Sequence, residues 1–378
     1  MFKSTCSIKI HFRKLRDPRV QGRRRHLLLD LIVITICGVI CGCDNWQEIA
    51  TFARARHDWF KRFLKLPAGI PSHDTLERVF DLLDPEQFQA CFREWMNALN
   101  ESLGLSQIAI DGKTLRGSGV DGQKALHLVS AWATANGLSL GQVAVDEKSN
   151  EITAIPRLLE LLDLNGAFVT IDAMGCQKAI AAKIIERKGH YALTVKENQE
   201  HLLEDIQAAI SRADETNYAE VEHDTYETRE RGHGREEYRC YTVIHSTAGI
   251  RNASDWANLT TIGFCYSERT IDGVTSEELR YFIGSKKTTA KVYGKALRSH
   301  WGIENQLHWQ LDVCFDEDKN RVSKRHGAEN LALVRRLALS LLKQHPSKSS
   351  IKCKRLQAAL DPSFLEEIIR GNGKAGNV

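Results

Sequence analysis

The sequence predicts a mixed α/β protein preceded by a small helical region. Residues 27–100 contain helical apolar runs separated by turn signals, whereas strand-like runs begin at residue 107. From there, short apolar runs of strand length alternate with longer runs of helical periodicity, the pattern of a sheet flanked by helices. The chain has 378 residues, 42% of them hydrophobic, which is enough for two domains.

The chain begins with a basic arm. Residues 11–26 hold seven Arg or Lys and one Asp, and Arg23, Arg24 and Arg25 are consecutive. Such an arm is either a solvated leader or a contact to DNA phosphates. No signal peptide is recognisable at the N-terminus.

Helices are predicted for the rest of the first 100 residues. Residues 27–43 are apolar, but they include Asp30 and are too short for a membrane span, which favours a buried helix. Ser72 is a suitable N-cap for the helix that follows it. We therefore expect a small helical domain with a basic entrance over 1–100.

A sheet is predicted from residue 107 onward. Strands are expected at 107–115, 124–134, 138–145, 167–175 and 191–199, with helices at 151–164 and 176–189. Asn136-Gly137 between the second and third strands is a strong hairpin signal. A β-rich insertion is expected over about 205–285, then helices at 290–312 and 327–344. An α/β domain is expected over 101–345, and a basic, flexible tail over 346–378.

Charge is unevenly distributed along the chain. Residues 1–100 have 16 Lys and Arg against 11 Asp and Glu, residues 101–280 have 18 against 28, and residues 281–378 have 18 against 9. Basic ends around an acidic centre suit a polyanion that one part holds and another processes. Uneven solvated charge is the alternative. The ten cysteines show no zinc-type spacing and are interpreted as reduced thiols.

Two aspartates each follow an apolar strand run. Asp111 follows IAI and Asp172 follows VTI. A buried carboxylate is costly unless it is paired, protonated or bound to a cation, and two acids in one sheet repel each other. Oxygen ligands of this kind suit Mg²⁺ or Mn²⁺. A turn aspartate is the ordinary alternative for each position.

A third acid is a candidate on the helix predicted after the insertion. Glu304 and His308 are four residues apart and share a helix face with Asp312, and Trp301 adds an apolar side chain. Glu304 completes a metal site if it reaches the two strand aspartates. Asp312, Glu317 and Asp318 are alternatives for the third ligand.

Several polar and basic side chains are candidate DNA contacts. In each case the alternative is an ordinary solvated or packed side chain. Beyond the arm, the candidates are Arg116, Lys196, Asn198, Gln199, Arg235, Arg298, His300, Asn305, His308 and Arg321.

Taken together, these motifs resemble a known family. The motifs are DPR at 17–19, GIPSHDTLERVF at 69–80, IAIDGKTLRGS at 108–118, KSNEITAIPRLL at 148–159, VTIDAMGCQ at 169–177, YALTVKENQ at 191–199, HGRE at 233–236 and HWGIENQLHWQLDV at 300–313. In this order they are similar to DDE transposases with an RNase H-like core, most closely the H-repeat-associated (ISAs-type) insertion-sequence branch. The resemblance covers roughly residues 10 to 345.

The resemblance implies a helical DNA-binding domain over 1–100, a catalytic domain over 101–345 and a set of metal ligands. It implies that Asp111, Asp172 and Glu304 are the catalytic acids and hold two Mg²⁺ or Mn²⁺ ions. The implied reaction is cleavage and strand transfer of double-stranded DNA, at terminal repeats and a target, by a homodimer or larger assembly. The implied location is the bacterial cytoplasm, at the nucleoid. An inactive or domesticated DNA-binding protein or nuclease derived from a transposase is the alternative.

The sequence departs from the broader group at one motif. Tyr-x2-Arg-x3-Glu-x6-Lys around the last acid becomes Leu297, His300 and Leu311 here. The phosphate-binding role would then pass to His300, Arg298 or Arg321. An aspartyl-phosphate enzyme is disfavoured, because Lys113 stands where such enzymes have a second acid, and no phosphate-binding glycine-rich loop is present.

Overall fold

The computed structural model describes residues 8–100, 107–119, 124–145, 151–232 and 234–370. They form two compact units. The first contains the described residues up to 100, from 112 to 145 and from 304 onward, and the second contains 107–111 and 151–303. This grouping cuts across the predicted division at residue 100. Motif residues 148–150, His233 and the tail residues 371–378 lie outside the described residues.

The helices and strands are as follows in chain order. Helices α1 to α6 are Ile8–Phe12, Leu28–Ile40, Trp46–Ala55, His57–Lys61, His73–Leu82 and Pro85–Asn100. Strands β1 to β3 are Gln107–Thr114, His127–Ala133 and Leu138–Val145. Next come α7 (Glu151–Glu160), β4 (Phe168–Ile171), α8 (Lys178–Glu186), β5 (His190–Val195) and α9 (Glu200–Glu215). Strands β6 to β9 are His223–Gly232, Arg235–Ile244, Thr261–Ile271 and Val274–Gly284, and helices α10 to α14 are Ala290–Ile303, Trp309–Phe315, Gly327–Gln344, Ile351–Leu360 and Pro362–Arg370.

Two buried helices form the centre of the first unit. Helix α2 is apolar all round and buried along nearly its whole length, which confirms the buried helix predicted at 27–43. Helix α12 packs against it, and the Asn330 amide of α12 donates to the carbonyls of Phe80 and Leu83 at 2.8 and 3.0 Å. No helix in the described ranges is long and apolar enough to cross a membrane.

Local signals in the first unit behave as predicted. The Ser72 hydroxyl accepts a hydrogen bond from the Thr75 amide and caps α5. Strands β2 and β3 form the antiparallel hairpin expected around Asn136-Gly137. Gly137 has a φ of +64°, a conformation that favours glycine.

The second unit is built on a mixed sheet. Its strands lie in the order β1-β4-β5-β9-β8-β7-β6. Strands β1, β4 and β5 are parallel, and the remaining pairs are antiparallel. Parallel strands need crossover connections, which α7 and α8 provide between β1, β4 and β5. The predicted mixed α/β fold is confirmed.

One side of this sheet is covered by α10, and we call it the α10 face. It carries Phe168, Ala192, Val243 and Phe282, which pack with Ala290, Tyr293 and Ala296 of the helix. The opposite side carries Ile171, whose side chain lies against Gly175 and faces α7. Successive residues of a strand point to opposite faces, so residues an even number of positions apart on one strand lie on the same face.

The predicted insertion differs from the structure at its start. Residues 200–215 form helix α9, so the strands start only at His223. Strand β9 pairs with β5, so the strands of the insertion extend the same sheet. Strand β6 escaped prediction because its polar side chains give no apolar alternation, and its ladder with β7 holds it in place.

The prediction of a flexible tail from 346 is wrong for the residues up to 370. They form α13 and α14. The basic side chains find partners inside the first unit: Lys354 donates to the carbonyls of Leu342 and His345, and the Arg355 guanidinium lies 4.1 Å from the centre of the Phe315 ring. The basic composition thus suggested a flexible tail, although these residues form packed helices.

Candidate active site

Asp111 and Asp172 lie side by side in the second unit. Strands β1 and β4 pair in parallel, and the last paired residues are Ile110 and Ile171. Asp111 and Asp172 are the next residue on each chain, and Asp172 continues in an extended conformation. Neighbouring strands lie about 4.8 Å apart, so the two carboxylates leave adjacent positions at the carboxyl end of β4.

Both aspartates belong to the α10 face. Thr170 is two residues before Asp172 and therefore points to the same side. Its hydroxyl lies 3.1 Å from Nδ1 of His300 on α10. Gln107 of β1 likewise donates to the carbonyl of Ala296 at 2.6 Å. The helix thus lies on the side of the sheet from which the carboxylates emerge.

The environment of Asp172 disfavours its charged form. Its side chain reaches solvent, yet the surrounding protein removes enough water for desolvation to raise the pKa of the carboxyl from its usual value. The backbone amide of Gly175 and the charge of Lys196 act in the opposite direction, while Glu151 adds to the rise. A bound cation would relieve this penalty.

Lys196 lies near the same edge of the sheet. It follows β5 by one residue, and Ala192 and Thr194 alternate with it on the α10 face. Its side chain is exposed. It therefore places a positive charge near Asp172.

Asn198 and Gln199 bind the backbone of their own chain. Asn198 donates to the carbonyl of Ala173 at 2.7 Å, and Gln199 donates to that of Cys176 at 2.9 Å. Both amides thus hold the loop that follows Asp172. This is a structural role, and the DNA contact suggested by the sequence stays a prediction for both residues.

Glu304 begins an irregular stretch of helix. Helix α10 ends at Ile303, and a π-helical segment covers Glu304–His308. Short π-helical segments are rare and occur frequently at functional sites. Glu304 is exposed, and within the described ranges no cation pairs with its carboxylate. His308 is buried.

The three alternative acids are occupied by cations of the first unit. The Lys113 ammonium lies 2.5 Å from Asp312, 3.1 Å from Asp318 and 3.7 Å from Glu317. Arg336, which is fully buried, lies 3.0 Å from Glu317. Internal ion pairs therefore account for these carboxylates, and Glu304 is the acid left without such a partner.

The aspartate pair offers the ligand type of a hard divalent cation. Two adjacent carboxylates supply the oxygen donors that Mg²⁺ prefers. In the part of the chain that the structure describes, no three His, Cys, Asp or Glu side chains are grouped so that they could hold a metal ion. The pair thus supplies two carboxylate ligands for a cation, and among the described residues no third such side chain is grouped with them.

Comparison with known proteins shows the family. The model described as "Transposase DDE domain" matches residues 102–341, and the model described as "DDE_Tnp_1-associated" matches residues 9–96. The chain belongs to the DDE transposase family. The resemblance inferred from the motifs is confirmed, and so is the predicted function of a DNA transposase.

Relatives of this transposase match over nearly the full length. "Putative transposase YncI" of Escherichia coli O157:H7 is 40% identical over 95% of this chain and 93% of that protein. "H repeat-associated putative transposase YhhI" of Escherichia coli strain K12 is 37% identical over 96% and 97%. A solved piggyBac transposase synaptic complex with hairpin DNA matches 98% of this chain and 78% of that chain, with a TM-score of 0.42 and 10% identity. That likeness is too weak to carry an argument.

The predicted DNA-binding residues of the transposase fall into different environments. Most of them are exposed, and these are Arg23, Arg24, Arg25, Arg116, Lys196, Asn198, Arg298, Asn305 and Arg321. His300 is different, because desolvation lowers its pKa to about 4. The imidazole is therefore neutral near pH 7 and lacks the charge that the predicted phosphate-binding role requires.

Arg235 and Arg298 are brought together although they are far apart in the sequence. Both pair with the carboxylate of Glu237, at 2.9 and 3.6 Å. Sequence reasoning did not single out Glu237. The acidic and basic residues along β7 gave no indication that Glu237 is the buried one.

Proposed function

We propose that this transposase cuts and joins DNA strands at a metal centre built on Asp111 and Asp172, with Glu304 as the third acid. The observation that carries the proposal is the in-register parallel pairing of β1 and β4. It brings Asp111 of β1 next to Asp172, which directly follows β4, with both residues on the same face of the sheet. The alternative, an inactive DNA-binding derivative, has no comparable observation in its favour.

Two physical arguments support a cation at this pair. Adjacent carboxylates repel each other unless a proton or cation lies between them. The desolvation that raises the pKa of Asp172 acts in the same direction. We propose Mg²⁺ or Mn²⁺, two ions per site, because the donors are oxygens only.

The choice of Glu304 as the third acid rests on the sequence motif and on the ion pairs made by the acids that follow it. The acids that follow it are neutralised by Lys113 and Arg336. Glu304 is therefore preferred over Asp312, Glu317 and Asp318.

The residues of the chain have distinct proposed roles in the reaction. The chemistry that two such ions supply when bound is activation of the attacking oxygen and stabilisation of the leaving oxygen in an in-line displacement. Asp111 within β1 and Asp172 at the end of β4 would hold the cations from rigid backbone positions, which limits movement of the ligands. Lys196 binds a phosphate oxygen next to them, since its exposed ammonium lies on the same face.

The partners follow from the family and the charge pattern. We propose that the substrate is double-stranded DNA carrying the terminal repeats and the target of an insertion sequence. Two DNA ends have to be joined in one reaction, so we propose a homodimer or larger assembly on DNA. Its place of action is the cytoplasm of a bacterium, at the nucleoid.

The test is nicking of supercoiled DNA that carries the element ends. Wild type is compared with Asp111→Asn, Asp172→Asn and Glu304→Gln, with Mg²⁺, Mn²⁺, Ca²⁺ or EDTA. We expect cleavage with Mg²⁺ or Mn²⁺, and a loss of at least about 100-fold in each variant while DNA binding persists. Asp312→Asn is the matched control and keeps nicking.

Two results would overturn the proposal. Full nicking by Glu304→Gln combined with its loss in Asp312→Asn would transfer the role of third acid to Asp312. Binding of DNA by the wild type without cleavage under any metal would favour the inactive DNA-binding alternative. Light scattering of the complex with DNA tests the assembly, and a single protomer on two ends contradicts it.

A further inference from the structure

One buried carboxylate of the second unit is surrounded by four guanidinium groups. The Glu237 side chain on β7 is 7% exposed. It pairs with Arg239, with Arg235 at 2.9 Å, and with Arg269 and Arg298 at 3.6 Å. We call these four arginines the arginine cluster. One arginine is enough to neutralise one carboxylate, so Glu237 has three more arginines around it than an ion pair requires.

The fold gathers the cluster from three elements. Arg235 and Arg239 are two residues on either side of Glu237, so all three point to one face of β7. Arg269 is directly opposite Glu237 on β8. Arg298 comes from α10, the helix that lies on that face. The arrangement thus depends on tertiary structure and cannot be a local charge run.

The cluster carries more positive than negative charge. Glu230 on β6 is directly opposite Glu237 and pairs with Arg239 and Arg298 at 3.4 and 3.3 Å. Four guanidiniums thus face two carboxylates, an excess of two positive charges. Like charges at this spacing repel each other, so a bound anion would stabilise the group.

Three members of the cluster are open to solvent. The side chains of Arg235, Arg269 and Arg298 are 42%, 51% and 43% exposed, whereas Arg239 is largely buried. Glu237 therefore fixes the inner ends of the guanidiniums while their outer donors stay available. Guanidinium presents several donors in a planar fork, a geometry that matches phosphate oxygens.

The cluster lies on the same face of the sheet as the aspartate pair. The ladder runs from Thr170 through Ala192 and Gly284 to Thr261, and directly paired residues share a face. Arg269 is eight residues after Thr261, an even number, so it points to that side. Thr170 and Asp172 are likewise two residues apart. Cluster and carboxylates are therefore both on the α10 face.

The cluster also lies toward the same end of the sheet. Strand β8 is parallel to β5, because each is antiparallel to β9. Val195 at the end of β5 is opposite Tyr281, which is opposite Phe264, and β8 runs on from there to Ile271. The strands carrying the cluster thus extend beyond the carboxyl edge from which Asp111 and Asp172 emerge.

We propose that the arginine cluster, held by Glu237, binds the phosphate backbone of the DNA duplex that leads to the aspartate pair. The proposal rests on the proposed function and adds a binding site to it. Phosphate contacts from arginine fix the register of a protein on DNA without reading its sequence. The cluster would hold the duplex at the face where its strand is cut.

The opposite face of the same strands provides a matched control. Arg231 of β6 pairs singly with Glu236 at 2.6 Å, and its side chain is highly exposed. It occupies the other face because it is one residue from Glu230. Removing Arg231 thus removes one exposed arginine from the same strands without touching the cluster.

The experiment measures binding to a duplex of arbitrary sequence in EDTA at several salt concentrations. We compare wild type with Arg235→Ala, Arg269→Ala, Arg269→Lys and the control Arg231→Ala. Each cluster alanine variant is expected to weaken binding and to lower the slope of log K against log salt by about 1. Arg269→Lys keeps the slope, and Arg231→Ala behaves as wild type. Circular dichroism confirms that each variant is folded.

The outcomes separate this proposal from the proposed function. If wild type binds and nicks DNA but Arg235→Ala and Arg269→Ala match it in slope and affinity, only the role of the cluster is refuted. Equal losses in Arg231→Ala and Arg269→Ala also refute it, because binding then follows total charge. If wild type does not bind duplex DNA, both proposals fail.

Discussion

The hydroxyl of Thr170 lies 3.1 Å from Nδ1 of His300 and joins strand β4 to helix α10. Thr170 is two residues before Asp172, so the contact fixes the helix beside the candidate acids. Desolvation lowers the pKa of His300 to about 4, and a hydrogen bond to the backbone of Thr170 only partly offsets it. The neutral ring is therefore a positioning group near pH 7.

This contact predicts an acid-sensitive stability. Because the folded pKa of His300 is below the value of about 6.5 for an unfolded chain, its contribution is complete above pH 6.5 and is lost as the pH falls toward 4. The loss is at most about 3 kcal/mol. His300→Asn keeps a hydrogen-bonding group for Thr170 and does not titrate, so its stability should fall less over this range. Denaturant unfolding at several pH values measures the difference.

Other groups set the background for this measurement. Burial also lowers the pKa of His26, His190 and His245, so wild type and variant share some acid sensitivity. Only the difference between the two curves belongs to His300. Parallel curves from pH 7 to pH 4 would contradict the assigned role.

A second prediction concerns Lys113. Its side chain is 8% exposed and neutralises Asp312 and Asp318, with Glu317 close by. Lys113→Met leaves these carboxylates near one another without their shared cation. Removing one partner of a buried pair typically costs about 3–5 kcal/mol. Urea unfolding should show a loss of this size.

Lys319→Met is the control for Lys113. Lys319 also pairs with an acid, Asp316 at 2.8 Å, but its side chain is highly exposed. Exposed pairs contribute little to stability, because water and salt screen the two charges. Equal losses of stability in the two variants would mean that Lys113 is an ordinary surface cation.

The sequence could predict the elements whose signals are local. Helix α12 occupies 327–344 as expected, because its apolar residues recur at helical spacing over five turns. The hairpin at Asn136-Gly137 and the cap at Ser72 also follow from single residues with defined backbone roles. Each of these depends on neighbours in the sequence only.

The candidate site was predictable in its residues and unpredictable in its geometry. Asp111 and Asp172 stand out because each follows an apolar strand run. Their alignment depends on the register of β1 against β4, and no local signal specifies register between distant strands. Glu237 could not be found for the same reason, since its partner Arg298 is 61 positions away and comes from another element.

A third prediction distinguishes members of the basic arm. Arg24 donates to the carbonyl of Arg19 at 2.7 Å and to that of Asp17 at 3.2 Å. Arg23 and Arg25 are exposed, and the described residues include no acid that pairs with them. Arg23→Ala and Arg25→Ala should each lower the salt slope of DNA binding by about 1, and Arg24→Ala should lower it less. A larger effect of Arg24→Ala than of the other two variants would contradict the prediction, because the hydrogen bonds that Arg24 makes within the arm would then matter more than direct phosphate contacts.

The last prediction is that a divalent cation reverses the order of stability of the wild type and Asp172→Asn. Without divalent cations, the neighbouring charges of Asp111 and Asp172 repel and the ionised form of Asp172 is disfavoured by desolvation. Asp172→Asn removes one of these charges, so in EDTA its melting temperature should be equal to or above that of wild type.

With Mn²⁺ the order should reverse. Binding at 100 times the Kd stabilises the wild type by about 2.7 kcal/mol, whereas Asp172→Asn has lost a ligand and gains little. Asp163→Asn is the control and should respond to Mn²⁺ as wild type does, because Asp163 lies in the loop before β4. Thermal unfolding with EDTA and with Mn²⁺ measures both steps. An equal Mn²⁺ response in wild type and Asp172→Asn would place the metal elsewhere, whatever the activity of the variants.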